Sequence, residues 1–410
     1  MKKTFSFITV CLLAIGTLCA CNKQTPDNIE NDIPKKPFEP IALTKAEREI
    51  SDASNQFGFD VYHKIYEGKD MLISPLSLSL ALSMAANGAE GKTAEEMLST
   101  LGFAGQDKDA LNSYYQKMIS ALLDADPETT FEVANSIWAN ESIGIKQSFT
   151  DVTKEYYSSE VYPADFKTQA TVDKINQWCS DKTHGKIPTI LDGPDPNLVM
   201  ALINALYFKG TWAFDFDDKV KKEDFTTLSG SKSKVEMMTA KLSSYAEYDG
   251  FSMVSLPYGN GSFCMDVILP PKDEDFGEAI KRLDASTFQS LLRTLSEADV
   301  NLKFPKFTFD YQAQLNDALI DLGMPLAFTP SADFSAMAAK PLMISMVKQK
   351  TFIDVNEKGT EAAAVTFIGF FTTAYRPEPR TVDFFANRPF LFTIRETSTG
   401  AVLFMGQKVS

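Results

Sequence analysis

Histidine is nearly missing from this chain, with 2 in 410 residues. His63 and His184 cannot assemble a multi-histidine metal centre, and they leave few candidates for a general base. Cysteine is scarce as well, 5 in all. Basic charge is in short supply: 40 Lys and Arg face 54 Asp and Glu, for a formal net charge of −14. An acidic surface repels phosphate backbones, which argues against nucleic acid as a partner. There is no Gly-x-Ser-x-Gly elbow, no His-Glu-x-x-His and no Cys-x-x-Cys pair, so the usual hydrolase, zinc-protease and redox signatures are lacking. Internal repeats and low-complexity tracts are absent too. What is present is 44% hydrophobic residues, enough for a large core. Length alone suggests two to three domains.

The first twenty residues stand apart. Lys2 and Lys3 are followed by an apolar run from Phe5 to Leu18, too short for a well-flanked spanning helix. The run ends in Leu18, Cys19, Ala20 and Cys21, a small-residue cleavage site before a cysteine. Residues 1–20 therefore read as a lipoprotein signal peptide, with Cys21 as the acylated first residue of the mature chain. Ordinary secretion, with cleavage near Ala20, is the alternative. The expected location is outside the cytoplasm, lipid-anchored to the bacterial cell envelope at the outer membrane or cell surface, or secreted if Cys21 is not acylated. Only Cys179 and Cys264 then remain as thiols. Both sit in apolar contexts and read as buried small hydrophobes, so the fold must rest on its core. Residues 21–44, with Pro26, Pro34, Pro37 and Pro40, read as a flexible tether.

Folded sequence begins at residue 45. Thr44 and Glu47 have capping-box spacing, and Ile50, Ala53, Phe57, Val61 and Ile65 line one face of the helix that follows. Ser74 and Pro75 open an apolar helix to Ala86. Helical spacing recurs at 93–101, 108–123, 148–157, 171–183 and 314–322. From Leu198 onward strands dominate. Residues 301–304 and 306–311 alternate, with Pro305 breaking the phase between them. Hairpins are expected at 252–257/263–269 and 390–395/401–405. Ala86 to Thr93 fits a relaxed phosphate loop, but a helix rather than a strand precedes it and Glu90 would oppose an anion. It reads as a helix–helix turn in which Gly88 or Gly91 is left-handed and Thr93 caps the next helix. Asp273, Glu274 and Asp275 read as solvated loop. The sum is an α+β protein, helices first and antiparallel sheets after.

One segment carries more information. Between a strand at 350–355 and another near 381–385 lies a long connection, of the kind a compact domain keeps for function. Read with period two, Thr360, Ala362, Ala364, Thr366, Ile368 and Phe370 share a face. All six are uncharged and the first four are small, so this face could slide between two existing strands. The run Glu361 to Ala364 also favours a short exposed helix. Both states can hold in sequence, exposed first and inserted later.

At these residues the chain resembles the serpin family, the serine-protease inhibitors. The resemblance runs from about residue 45 to the end, on motifs in the family's order: Ile73 to Ser77, Asn204 to Trp212, Phe304 to Phe307, the hinge Val355 to Ala364, Asn387 to Phe392 and Leu403 to Gly406. It implies a single serpin domain over 45–410, with about eight to nine helices, three β-sheets and an exposed reactive-centre loop at about 357–380. It implies no enzyme, metal or cofactor, but a monomeric suicide substrate of serine endopeptidases, with cysteine endopeptidases as a further class. The protease forms an acyl-enzyme on the loop, the loop inserts into the large sheet, and the protease is trapped. A non-inhibitory serpin that binds or carries a ligand is the alternative.

By the same resemblance the hinge comprises Glu357, Gly359, Thr360, Ala362, Ala363 and Ala364. Lys306 pairs with Glu357 at the top of the sheet, beside Trp212. Ser74, Ser77 and Asn204 form a polar cluster under mid-sheet, where Gln349 stands in place of a common histidine; its amide can still donate and accept. Counting from Glu357 places the scissile bond between Thr373 and Ala374, which suits elastase- or subtilisin-like proteases. Cleavage after Thr372 or Tyr375 remains open, the latter suiting chymotrypsin-like targets. Arg376 is disfavoured because Pro377 would follow the cut.

Overall fold

A computed structural model describes residues 36–360 and 380–410. Among these the chain forms nine α-helices and fifteen strands. The first part holds α1 (Lys45–Lys64), β1 (Met71–Ile73), α2 (Pro75–Ala86), α3 (Gly91–Thr100), α4 (Lys108–Asp124), β2 (Thr130–Asn140), α5 (Gln147–Tyr157), β3 (Glu160–Ala164) and α6 (Gln169–Lys182). Then come β4 (Met200–Thr211), β5 (Lys221–Thr226), β6 (Lys232–Tyr248), β7 (Phe251–Tyr258), β8 (Phe263–Leu269), α7 (Phe276–Arg282) and α8 (Ala285–Thr294). The last part holds β9 (Ser296–Pro305), β10 (Phe307–Gln314), α9 (Asn316–Leu322), β11 (Met346–Asn356), β12 (Gly359–Thr360), β13 (Thr381–Phe385), β14 (Phe390–Glu396) and β15 (Val402–Lys408).

Local chemistry explains most of these boundaries. The capping box is formed: Thr44 Oγ1 accepts from Glu47 N–H at 3.2 Å, and Thr44 N–H donates to Glu47 Oε2 at 2.7 Å. Ser74 caps α2 and Pro75 occupies its first turn, where no donor is lost. Every residue of α2 is buried, as fits a helix with no charged residue and only Ser77, Ser79 and Ser83 as polar members. Two expectations are corrected. Thr93 lies inside α3 and accepts from Asp333 N–H at 2.9 Å, and Glu90 takes the N-cap position; Gly91, at φ +50°, is left-handed as expected. Asp273 to Asp275 is not simply solvated loop, because Asp275 accepts from Glu278 N–H and caps α7, while Glu274 pairs with Arg282 at 2.7 Å. Residues 36–44, the described end of the expected tether, lie along the domain: Lys36 Nζ pairs with Asp124 at 2.6 Å and Ile41 N–H donates to Ser398 Oγ.

The strands form two hydrogen-bonded networks. Nine strands run β1–β15–β14–β8–β7–β6–β9–β13, with β5 on β6. The long β6 joins two groups, since its end pairs with β7 and its length pairs with β9. The other network is a six-stranded sheet in the order β10–β11–β12–β4–β2–β3. One apolar cluster runs from α1 and α2 into both networks. A second, around Trp138, Trp178, Ile203 and Met346, fills the space between α6 and the opposite face of the six-stranded sheet.

Candidate functional site

The centre of the six-stranded sheet is a fork. Over Met346–Lys350 and Ala201–Ala205, β11 and β4 pair directly and in parallel. A parallel pair flanked by the antiparallel neighbours β10 and β2 is a seam that one more antiparallel strand could fill. Above Lys350 the two strands part, and β12 stands between them. Thr360 pairs with Val355 on one side and Gly210 on the other, while Gly359 pairs with Asn356 and Thr211. The first two residues after the turn at Glu357 and Lys358 are thus already part of the sheet. Gly359 is required there: its φ is +149°, and a Cβ would lie 2.1 Å from the Gly210 carbonyl oxygen. Thr360 is 3% exposed.

The residues around the fork hold it from both sides. Lys306 Nζ lies 2.5 Å from Glu357 Oε2 and, through this hydrogen bond and ion pair, keeps the carboxyl below its ordinary range. Trp212, the residue after β4, donates Nε1–H to the Asn356 carbonyl at 2.9 Å and its backbone N–H to the Lys358 carbonyl at 3.3 Å. Its ring stacks on Tyr258 with centroids 4.4 Å apart. The Tyr258 hydroxyl lies 2.7 Å from Thr360 Oγ1, and burial pushes its pKa well up, so it stays a neutral hydrogen-bonding partner.

Below the fork lies the polar cluster, built from amides on three adjacent strands. Asn135 of β2 is opposite Asn204 of β4, and Asn204 is opposite Gln349 of β11. Asn204 Nδ2–H donates to Asn135 Oδ1 at 2.5 Å and to Ser77 Oγ; Gln349 Nε2–H donates to Asn204 Oδ1 at 3.0 Å. Gln349 also closes a pair with the backbone of Ser74, accepting from its N–H at 2.8 Å and donating to its carbonyl at 3.1 Å. The Gln349 amide is therefore fully engaged. The structure brings together Glu357, Lys306, Trp212, Gly359 and Thr360 in one group, and Ser74, Ser77, Asn204 and Gln349 in the other. Tyr258 and Asn135 were not legible in sequence; their only signal is strand register, which no local motif announces. Ala362, Ala363, Ala364, Thr372, Thr373, Ala374, Tyr375, Arg376 and Cys21 lie outside the described residues.

The two thiols are where the sequence placed them. Cys179 and Cys264 are buried and free, and burial pushes both up to about 12. Each histidine has a structural neighbour: His63 Nε2 is 3.2 Å from the Leu283 carbonyl oxygen, and His184 Nε2 is 3.1 Å from Glu132.

The family model described as "Serpin (serine protease inhibitor)" matches residues 52–410. The chain is 34% identical to intracellular coagulation inhibitor 2 of Tachypleus tridentatus, over 88% of this chain and 91% of that protein. Its fold is similar to that of the thermophilic serpin tengpin in the native state, with TM-score 0.81 and 32% identity, covering 93% of this chain and 99% of tengpin. It is also similar to thyroxine-binding globulin in complex with thyroxine, at TM-score 0.79 and 26% identity, covering 88% and 99% of the two chains. The chain belongs to the serpin family. Its members are mostly protease inhibitors rather than enzymes.

Proposed function

We propose that this protein is a monomeric suicide-substrate inhibitor of serine endopeptidases, exported and held at a cell envelope by acylation of Cys21. The observation that carries the inhibitory reading is the hinge: Gly359 and Thr360 already pair with both β11 and β4, and the seam below them is a parallel pair into which the strand can continue. A protease that acylates itself on the loop, in the region of Thr373 and Ala374, releases the chain to run down this seam. The small face Thr360, Ala362, Ala364 and Thr366 offers little steric resistance. The attached protease is carried along and distorted before it can deacylate. The catalytic machinery is the target's own.

The test is direct. Mixed with an elastase and, separately, with a chymotrypsin, the protein should give complexes that survive denaturing gels, and sequencing of the released C-terminal peptide should place the cut. Clean cleavage with no complex sinks the proposal. That outcome would favour a second reading, a ligand carrier. It has one observation on its side, a cavity of about 600 Å³ between α1, α8 and the β14–β15 turn, lined by Arg48, Arg293, Phe288 and Leu292 among others. The anchor has its own test. Cells expressing the chain should incorporate palmitate into it, and Cys21→Ala should lose the label; a retained label rules out the anchor.

A further inference from the structure

The N-terminal segment and the reactive loop leave the domain at the same end. Residues 36–44 are strapped to α4. Lys117 Nζ donates to the Ala42 carbonyl at 2.7 Å and pairs with Glu47, and Lys36 Nζ pairs with Asp124 at 2.6 Å. Lys117 and Asp124 stand about two turns apart on one face of the helix. The segment therefore runs along α4, from the start of α1 towards the C-terminal end of α4. Ile41 N–H donates to Ser398 Oγ midway, and Ile41 and Leu43 pack against the core.

That end of α4 is the fork end of the sheet. The helix stops at Asp124, and β2 begins at Thr130 opposite Lys209, the neighbour of the Gly210 that pairs with Thr360. The β7–β8 turn joins the two places. Gly259 N–H donates to the Thr211 carbonyl at 2.9 Å, and Asn260 Nδ2–H donates to the carbonyls of Lys36 at 3.1 Å and Ala125 at 2.9 Å. Lys36, where the tether departs, and Thr360, where the loop departs, thus lie on either side of one turn. Two large apolar side chains are exposed beside this exit. Phe38, just past Lys36, is 39% exposed, and Leu123, just before Asp124, is 54% exposed. The Lys36–Asp124 pair brings them to one place on the surface.

We propose that the face around Phe38, Leu123 and the tether exit rests on the lipid surface, so that the fork and its bait are presented towards the membrane rather than away from it. Three observations name a lipid surface as the occupant. The chain from Cys21 to Lys35 is short and would span about 20 Å as a random coil. Strand β2 alone, with 11 residues, runs about 35 Å from the fork end to the far end, so the exit is the part of the domain held nearest the bilayer. An aromatic ring and a leucine are side chains suited to the headgroup boundary. A formal charge of −14 gives no attraction to anionic lipid, so apolar contact has to fix the orientation. The inference rests on the anchoring proposed above. Its consequence is a choice of target: a protease working at the membrane meets the bait, and the bilayer obstructs one arriving from bulk solution.

The experiment reads orientation without a protease. The mature chain, with a hexahistidine tag in place of Cys21, is bound to phosphatidylcholine vesicles that contain a nickel-chelating lipid, so a failure of acylation does not affect the result. Cys179 and Cys264 are buried, which leaves an introduced surface cysteine as the thiol that takes an NBD label. NBD at Leu123→Cys, and likewise at Phe38→Cys, should gain emission and shift to the blue on vesicle binding. NBD at Glu141→Cys, exposed just past the far end of β2, should keep its aqueous spectrum. No change at Leu123→Cys, or an equal change at Glu141→Cys, overturns the proposal. On the same vesicles, complexes with a soluble elastase should form several-fold more slowly than after release by imidazole, and a long Gly-Ser insert between Pro34 and Lys35 should recover the rate. An unchanged rate on vesicles overturns the consequence for target choice. An absence of complexes both on vesicles and in solution sinks the inhibitory reading and leaves the orientation to be decided by the spectra.

Discussion

Thr360→Arg should leave the loop cleavable by an elastase-like protease and abolish the covalent complex. Thr360 sits between Val355 and Gly210, is 3% exposed, and meets the Tyr258 hydroxyl at 2.7 Å beneath the Trp212–Tyr258 stack. An arginine there brings a cation that cannot deprotonate into a buried site whose described side-chain partner is the Tyr258 hydroxyl rather than a carboxylate, at a cost of several kcal/mol. The bait lies downstream of the hinge in sequence, so recognition and acylation are unaffected. The outcome is a race between insertion and deacylation, and each 1.4 kcal/mol added to the insertion barrier slows it tenfold. Complex formation should fall by at least about a hundredfold while the yield of cleaved chain rises correspondingly, as read from denaturing gels at fixed protease. Thr360→Ser, which keeps a small side chain and the hydroxyl, should behave as wild type. Complexes forming at the normal rate in Thr360→Arg would mean that insertion of this face is not what traps the protease.

Asp266→Ala should be the most destabilising single change in the nine-stranded network. Asp266 is wholly buried on β8 and accepts from Arg395 Nε at 2.7 Å, Ser255 Oγ at 2.5 Å and Thr393 Oγ1 at 3.2 Å. Burial by itself would lower the Arg395 pKa; Asp266, with smaller help from Cys264 and Glu396, more than offsets this, so the guanidinium stays charged in the core. Removing the carboxylate leaves a buried cation whose remaining described hydrogen bond is to the Thr397 carbonyl at 3.1 Å, with the charge of Glu396 as partial compensation, a loss of about 3–5 kcal/mol. The thermal midpoint should drop by on the order of 10 °C. Asp266→Leu combined with Arg395→Met should recover most of that loss, because it removes the charge together with its partner. An unchanged midpoint in Asp266→Ala would mean that the pair is solvated and its burial of no consequence.

The two hairpins, the capped first helix and the largely apolar α2 could be read from sequence because each obeys a local rule: alternation, a capping box, a charge-free run behind Ser-Pro. Strands β2 and β3 and helices α7 and α8 could not. Strand β2 carries Asn135 and Ser136 at buried positions, which weakens its apolar alternation and makes sense only once Asn204 is opposite. Helix α7 spans 7 residues behind an acidic run whose last member is its cap, so composition pointed to loop. The strands at 301–304 and 306–311 were both legible, but not that Pro305 hands the chain from one network to the other, β9 pairing with β6 and β10 with β11.

Short motifs in order identified the family, and the period-two run of small residues after Gly359 pointed to a strand waiting to enter a sheet. These are properties of consecutive residues, set by backbone sterics and side-chain volume, and they survive without knowledge of the fold. Only the tertiary structure decided that Gly359 and Thr360 already pair with both neighbouring strands, which hydroxyl meets Thr360, and how Gln349 joins the polar cluster. Tyr258, Asn135, Gln349 and Ser74 come from four distant stretches of chain. Their contacts arise from strand register and from the placement of one helix start beneath a sheet, and no local pattern encodes either.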